Sequence, residues 1–553
     1  SASWRIGEAQ VGFTKIRYPF TPTQSWFYGI ISYSMSTETP TSAEQPKTKE
    51  IQELVEWYLE FIKLNFFQNI AHQKNMLFFL SARNKLMSQI VSIKSFQKNA
   101  SLFFDYVSDQ IDSLLKIKAA FKILNTYNAP VVPVGAGGGA GASYLRATGY
   151  KEKSYRYLLE QYVKTVCRIH ERGKDDDYRT LICNSGSLTF RLALTAITNG
   201  LRQRTYSFTD EEPNHISIFN YQPSGKIYFE NEQMIRGITE QGLATGTHIH
   251  ANTRFVVSNV TAHSLPQDLE DVRLRAITDD PGIKLIYAES IGNNPQLDVP
   301  NLEALAGKLA RYLSSPQRRS SKIIIYVDAT AISGSCNPFA AFEKYGLFKY
   351  PNLAVVVGVS VSKHLTAGVD YGNAGLVIAK GKLVDELWPT LVDESRKIGL
   401  PDPYTLNVLP VISPELIKKR NERMARNALF LAAEVEKGIG NYKDISVVYP
   451  GLQNHPQYAM VQEQLNGYSG SLIYLSISNP TLAISLFNNL DQKNIIKHGT
   501  SYGHNKTRME MKFPDQEKQN PIGIRISVGE ELTPEILQIA KEITFVVDFV
   551  HLQ

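Results

Sequence analysis

Between residues 150 and 386, short apolar β-rich runs alternate with helical stretches, and that alternation limits the folds open to this chain. The runs are Leu181-Ile182-Cys183, Arg254-Phe255-Val256-Val257, Lys284-Leu285-Ile286-Tyr287, Ile323-Ile324-Ile325-Tyr326-Val327 and Ala354-Val355-Val356-Val357. Strands separated by helices predict a mixed, mostly parallel sheet with helices on both faces. In such a sheet a ligand binds beyond the carboxyl ends of the strands, where Ser185, Glu289, Asp328 and Ser360 all fall. After Pro401 the pattern changes to one long helix over 414–437 and a smaller α+β region closing with Ile524-Arg525-Ile526-Ser527-Val528-Gly529-Glu530. This reads as a second, smaller C-terminal domain.

The first 140 or so residues are different. An aromatic, irregular start with Trp4, Phe13, Tyr18, Trp26 and Phe27 runs into a Ser/Thr/Pro-rich loop near residues 37–46. Ile51, Leu54, Val55, Tyr58, Ile62 and Phe66 then recur at helical spacing, as do Phe103, Val107, Ile111, Leu114 and Leu115. The glycine-rich string over 135–141 lacks the Gly-Lys-Ser/Thr of a phosphate loop and reads as a hinge. The expected division is a largely helical extension over 1–130, a large ligand-binding domain over 131–395 and a small domain over 396–553.

Composition excludes several classes. With 553 residues, 43% hydrophobic and 20% charged, the chain is globular and too long for one ordinary core. Its net charge of +6 is spread without a basic tract, which argues against nucleic acid as a partner. The three cysteines, Cys167, Cys183 and Cys336, suit neither a zinc site nor a disulfide framework, so a reducing compartment is expected. His248, His250 and His263 lack a carboxylate or cysteine to complete a metal site, and no metal is expected. No apolar run is long enough for a membrane helix and Ser1-Ala2-Ser3-Trp4-Arg5 has no signal-peptide layout, which sets the expectation of a cytoplasmic protein without a membrane partner.

The chemistry is concentrated around Lys363. It ends Ser360-Val361-Ser362-Lys363 and lies 35 residues after Asp328, the aspartate that closes the most apolar run. Taken singly, these are an ordinary loop lysine and a strand-end carboxylate. Together they are what a pyridoxal phosphate site needs: an amine to form a Schiff base with the aldehyde, hydroxyls for the phosphate, and a carboxylate to keep the pyridine nitrogen protonated.

Further strings resemble the cystathionine γ-synthase-like family of cysteine and methionine metabolism, pyridoxal-phosphate enzymes of the aspartate-aminotransferase-like fold type I. They are Asn427-Ala428-Leu429, Val448-Tyr449-Pro450-Gly451-Leu452 followed by His455-Pro456, and Arg525-Ile526-Ser527-Val528-Gly529-Glu530. The resemblance runs from about Ser143 to the C-terminus. It implies Lys363 as Schiff-base lysine and main proton carrier, Ser360 and Ser362 as phosphate ligands, and Asp328 as partner of the pyridinium nitrogen. Ser185-Gly186-Ser187 stands where the family has Ser-Gly-Met, so the amides of Gly186 and Ser187 would cradle phosphate at a helix start. Tyr144 and Arg146 match a Tyr-x-Arg that reaches the phosphate of a neighbouring subunit, which implies a homo-oligomer, a dimer sharing active sites or a tetramer of such dimers.

The resemblance also implies Tyr228 as the catalytic aromatic stacked on the cofactor ring. Glu289-Ser290-Ile291-Gly292-Asn293-Asn294-Pro295 resembles Glu-Ser-Pro-x-Asn-Pro with one residue more, so Asn293 and Asn294 both remain open for the ring hydroxyl, and adjacency to Pro295 favours Asn294. Arg525 would bind the substrate α-carboxylate with help from Ser501. The implied activity is γ-replacement on a γ-substituted amino acid of homoserine-ester or sulfur amino acid type, passing through an unsaturated intermediate. Elimination by a lyase of the same family is the alternative, and a non-catalytic relative whose N-terminal helices bind a partner is a second. Thr500, just before Ser501-Tyr502-Gly503, lacks the glutamate of typical cystathionine-cleaving members, and Thr148-Gly149-Tyr150 replaces the family's Asn-Pro-Thr. Those departures point to a specialised substrate.

Overall fold

The computed structural model describes residues 48–62, 64–65, 152–168, 178–201, 216–244, 283–315, 322–368, 373–398, 401, 405, 409–513 and 522–552. The aromatic start, the periodic stretch at 103–115, the glycine-rich string, the run at 254–257, the three histidines His248, His250 and His263, and both Tyr144 and Arg146 lie outside them.

Six strands, β1 (Arg179–Cys183), β2 (Ile216–Asn220), β3 (Ile283–Glu289), β4 (Ile323–Asp328), β5 (Leu353–Ser360) and β6 (Gly375–Lys380), make one sheet in the order β1-β6-β5-β4-β3-β2. β2 to β5 run parallel, while β6 is antiparallel to both β5 and β1. The fold is thus the mixed, mostly parallel α/β sheet of fold type I. β2 and β6 were not foreseen, because β2 interleaves apolar and polar residues and β6 is an antiparallel return without the crossover helix that marks its neighbours.

Alternation along each strand divides the core. In β4, Ile323, Ile325 and Val327 join one cluster with Leu305 and Leu309, while Ile324 and Tyr326 join the other with Phe190 and Leu194. Successive side chains of a strand point to opposite faces, so an unbroken apolar run of this kind has to be covered on both sides. The covering helices are α1 (Thr48–Ile62), α2 (Glu152–Val166), α3 (Gly186–Thr195), α4 (Phe229–Ala244), α5 (Leu302–Ser314), α6 (Ala340–Lys344) and α7 (Val384–Ile398). In α1, Leu54, Trp57, Tyr58 and Phe61 are buried, and the Trp57 indole donates to the Leu416 carbonyl at 2.8 Å.

The long helix α8 (Pro414–Ile439) starts where Ser413 accepts from the Leu416 amide at 3.2 Å and Pro414 sets the first turn. Its first half, through Leu416 and Ile417, packs in the large body; its second half, through Leu431 and Val435, packs in a separate core. That second core lies under α10 (Pro480–Gln492), α11 (Thr533–Leu552) and a sheet ordered β7 (Ile445–Val448), β8 (Leu472–Ile477), β11 (Gly523–Ser527), β10 (Arg508–Lys512), β9 (Lys497–His498), whereas α9 (Tyr458–Gln464) packs through Val461 in the large body. Among the described residues no helix is long and apolar enough to cross a membrane. Buried Arg420 of α8 ties the two regions: its Nε donates to Glu530 at 2.6 Å, and its NH2 to the Gly503 carbonyl at 3.1 Å.

Candidate active site

A cavity of about 400 Å³ opens where the parallel strands end, between the large sheet and β10 and β11. Its large-body wall carries Ser185, Gly186, Ser187, Tyr228, Glu289, Asn293, Asp328, Ser360, Ser362 and Lys363, and its other wall carries Thr500, Tyr502, Glu510, Lys512 and Arg525.

At one end the wall is shaped for a phosphate. Ser185 caps α3 and shares a hydrogen bond with Ser187 at 3.2 Å, and across from it Ser360 and Ser362 share one at 3.1 Å. Gly186 lies so close to β5 that a Cβ there would stand 2.4 Å from the Ser360 Cβ, so only glycine lets the helix start meet the strand end. Amides of a helix N-terminus facing four small hydroxyls form an anion cradle.

In the middle, the Lys363 amine donates to Ser501 Oγ at 2.6 Å and lies 5.4 Å from the centre of the Tyr502 ring. Gly503, at φ +78°, brings that loop against the lysine backbone, where a Cβ would be 2.6 Å from the Lys363 carbonyl carbon. Asp328 ends β4 beside Glu289 of β3, its register partner. Burial raises the affinity of the Asp328 carboxyl for its proton, against the Thr330 hydrogen bonds and the Lys363 charge, which lower it. A protonated ring nitrogen would supply the close positive partner that favours the ionised carboxylate.

Glu289 is a clamp. It accepts from the Tyr287 hydroxyl at 2.9 Å and the Asn293 amide at 2.8 Å, and from the Tyr228 amide. Burial and Asp328 push its carboxyl up to about 8, against those hydrogen bonds. One carboxyl group therefore fixes both Tyr228 and Asn293 at the cavity wall. At the far end Arg525 donates through NH1 to Asn293 Oδ1 at 2.6 Å and through NH2 to the Thr500 carbonyl, and its NH2 lies 2.6 Å from Glu510.

The geometry gives the two adjacent asparagines different surroundings. Asn294 is consumed in a turn: its Nδ2 donates to Asp298 at 2.7 Å and to the Lys226 carbonyl at 3.1 Å, and its Oδ1 accepts from the Gln296 amide at 3.0 Å. Asn293 is the one that lines the cavity. Ser501 Oγ, expected beside the substrate carboxylate, accepts from the Lys363 amine. Glu510 and Lys512 were missed, although Met509-Glu510-Met511-Lys512 alternates as a half-buried strand and so places both charges on one face. Cys336 is buried, which pushes its thiol up to about 12 and makes it inert.

The residues present fit pyridoxal phosphate: a glycine-only anion cradle, a buried carboxylate seeking a cation, an amine at the centre and an arginine at the far end. A doubly covered α/β body with that set defines a fold type I pyridoxal-phosphate enzyme. The chain belongs to the Cys/Met metabolism PLP-dependent enzyme family, whose model matches residues 236–541 and so spans Lys363, Asp328 and Arg525. No curated protein matches the chain. Among solved structures it is similar to metB from Corynebacterium glutamicum, with 18% identity, 70% of this chain and 84% of that one covered, and a TM-score of 0.49. It is also similar to CalE6, a methionine gamma lyase from Micromonospora echinospora, with 16% identity, 67% and 81% covered and a TM-score of 0.46. A third is the cystathionine gamma synthase from Xanthomonas oryzae pv. oryzae, with 15% identity, 67% and 82% covered and a TM-score of 0.46.

Proposed function

We propose that the chain catalyses γ-replacement on an amino acid bearing a leaving group on its γ carbon, of homoserine-ester or sulfur amino acid type. The observation that carries this reading is the Lys363 amine held on Ser501 at 2.6 Å in one cavity with Asp328 and Arg525. Bound pyridoxal phosphate supplies an aldehyde that condenses with amines and a protonated ring that withdraws electrons from Cα. Lys363 holds the cofactor, then takes the Cα proton and returns it farther along the substrate. Ser501 keeps the amine aimed. Asp328 stabilises the ring proton, Tyr228 and Asn293 orient the ring, and Ser185, Gly186, Ser187, Ser360 and Ser362 hold the phosphate. Arg525 receives the α-carboxylate. In this reading residues 131–395 supply the cofactor wall, 396–553 the substrate wall, and the protein works as a homo-oligomer.

Incubating cofactor-saturated protein with a γ-substituted homoserine ester, with and without a thiol amino acid, tests the assignment. A thioether product that needs the thiol supports replacement. Ammonia and a 2-oxo acid formed at the same rate without thiol would make the protein an eliminating lyase, and no cofactor absorption band would sink the enzyme reading.

A further inference from the structure

The substrate wall contains a carboxylate of its own. Glu510 on β10 is the register partner of Arg525 on β11, and Lys512 stands two residues along the same face. Glu510 Oε2 lies 2.6 Å from Arg525 NH2 and 2.8 Å from Lys512 Nζ. The Arg525 contact has no hydrogen-bond alignment. Arg525 is 3% exposed, and its Nε, aimed nowhere within the fold, has no acceptor either. One NH1 hydrogen goes to Asn293 and one NH2 hydrogen to the Thr500 carbonyl.

This is an unfinished anion site. A buried guanidinium without any counter-ion is costly, so a neighbouring carboxylate stabilises the empty pocket. Yet Glu510 satisfies the charge of Arg525 and not its donors. A free carboxylate entering the cavity can take the Nε–H and the charge together, and a charge-assisted, aligned pair is the stronger one. Lys512 is already 2.8 Å from Glu510 and can keep that carboxylate when Arg525 gives it up.

We propose that Glu510 is a specificity-determining residue, an internal stand-in for the substrate α-carboxylate that Arg525 exchanges for the real one, with Lys512 as the cation that receives it. The inference rests on the assignment of Arg525 as the α-carboxylate receptor. The exchange replaces the Glu510–Arg525 pair by a ligand–Arg525 pair while Glu510 stays on Lys512, so two cations face two carboxylates and none is left uncompensated. An anion must therefore outcompete Glu510 to enter, and the pocket rejects those that cannot also complete the Nε–H bond.

Butyrate, a carboxylate without an amine, is the probe, titrated calorimetrically into cofactor-saturated protein. Glu510→Gln removes the competitor and is expected to tighten butyrate by about tenfold, a change of about 1.4 kcal/mol. Lys512→Met is expected to weaken it by about threefold or more in the wild type and to have little effect in the Glu510→Gln background, because the two residues act as one exchange pair. Should Glu510→Gln fail to fold, Glu510→Asp withdraws the carboxylate by one methylene and gives tighter binding of smaller size. If Arg525→Ala abolishes butyrate binding while Glu510→Gln weakens it or leaves it unchanged, Glu510 merely orients the arginine and the proposal is wrong. If Arg525→Ala leaves butyrate binding intact, the underlying assignment of Arg525 fails instead.

Discussion

The two walls of the cavity are built on different principles. One wall, which we propose holds the cofactor and call the cofactor wall, stands on the ends of parallel strands whose residues are almost wholly buried, such as Ile323-Ile324-Ile325-Tyr326-Val327 of β4, and on the capped start of α3. Its groups are set by backbone: strand ends place Glu289, Asp328 and Ser360, and Gly186 fits because no side chain is there. The substrate wall stands on β10, β11 and the loop at Thr500, where charged side chains hold one another and the partners are exchangeable. Rigid backbone suits the part of the reaction common to many substrates, and exchangeable side chains suit the part that selects one.

Lys363 lies at the seam, so its removal gives the largest effect and tests whether the walls are separable. Lys363→Ala is expected to lower kcat by at least about 10³-fold while the phosphate end still binds the cofactor, seen as loss of the visible absorption band with retained cofactor on gel filtration. Loss of cofactor altogether would mean that the cradle does not act independently.

A smaller effect is expected at the cradle. Gly186→Ala drives a methyl into Ser360, which costs about 1–3 kcal/mol of overpacking. It should weaken cofactor affinity about tenfold or more, with KM for the amino acid unchanged once cofactor is saturating. A raised KM instead would tie the walls together.

The adjacent asparagines sharpen the contrast. Asn294→Ala leaves Asp298 and the Lys226 carbonyl short of a donor and is expected to lower unfolding stability by about 1–3 kcal/mol with little change in the spectrum. Asn293→Ala frees Arg525 NH1 and should raise KM several-fold with little loss of stability. Melting curves and kinetics of the two variants distinguish these outcomes.

A further test is in pH. Glu289 has its folded pKa raised from 4.5 to about 8, so the folded state holds the proton over that window where the unfolded chain has lost it. Stability from this group is full below about 4.5 and declines as pH rises towards 8. The melting temperature of cofactor-free wild type should therefore fall over that range, and Glu289→Gln should flatten the fall. A rise in melting temperature traceable to this residue would show that its three hydrogen bonds outweigh burial.

Much of the cofactor wall was legible in the sequence because its signals are local. Asp328 closes an apolar run, Ser360-Val361-Ser362-Lys363 is continuous, and Ser185 caps a helix that starts three residues after a strand. Asn293 and Asn294 could not be separated, since which of two neighbours turns inward depends on Asp298 and Lys226 receiving the other. The contact of Ser501 with the Lys363 amine was not legible, because the loop at Gly503 packs on Lys363 from 140 positions away.

The sequence by itself determined the class of chemistry: a lysine, an aspartate and small hydroxyls at the ends of buried strands, with Arg525 in a family motif. It also determined the double cover of the strands it marked, β1 and β3 to β5, because runs apolar on both faces have no stable alternative. Only the tertiary structure decided the state of Arg525. Glu510 and Lys512 reach it through strand pairing, and the burial of Arg525, which no spacing reveals, makes a site where, on our proposal, one carboxylate must yield before another can enter.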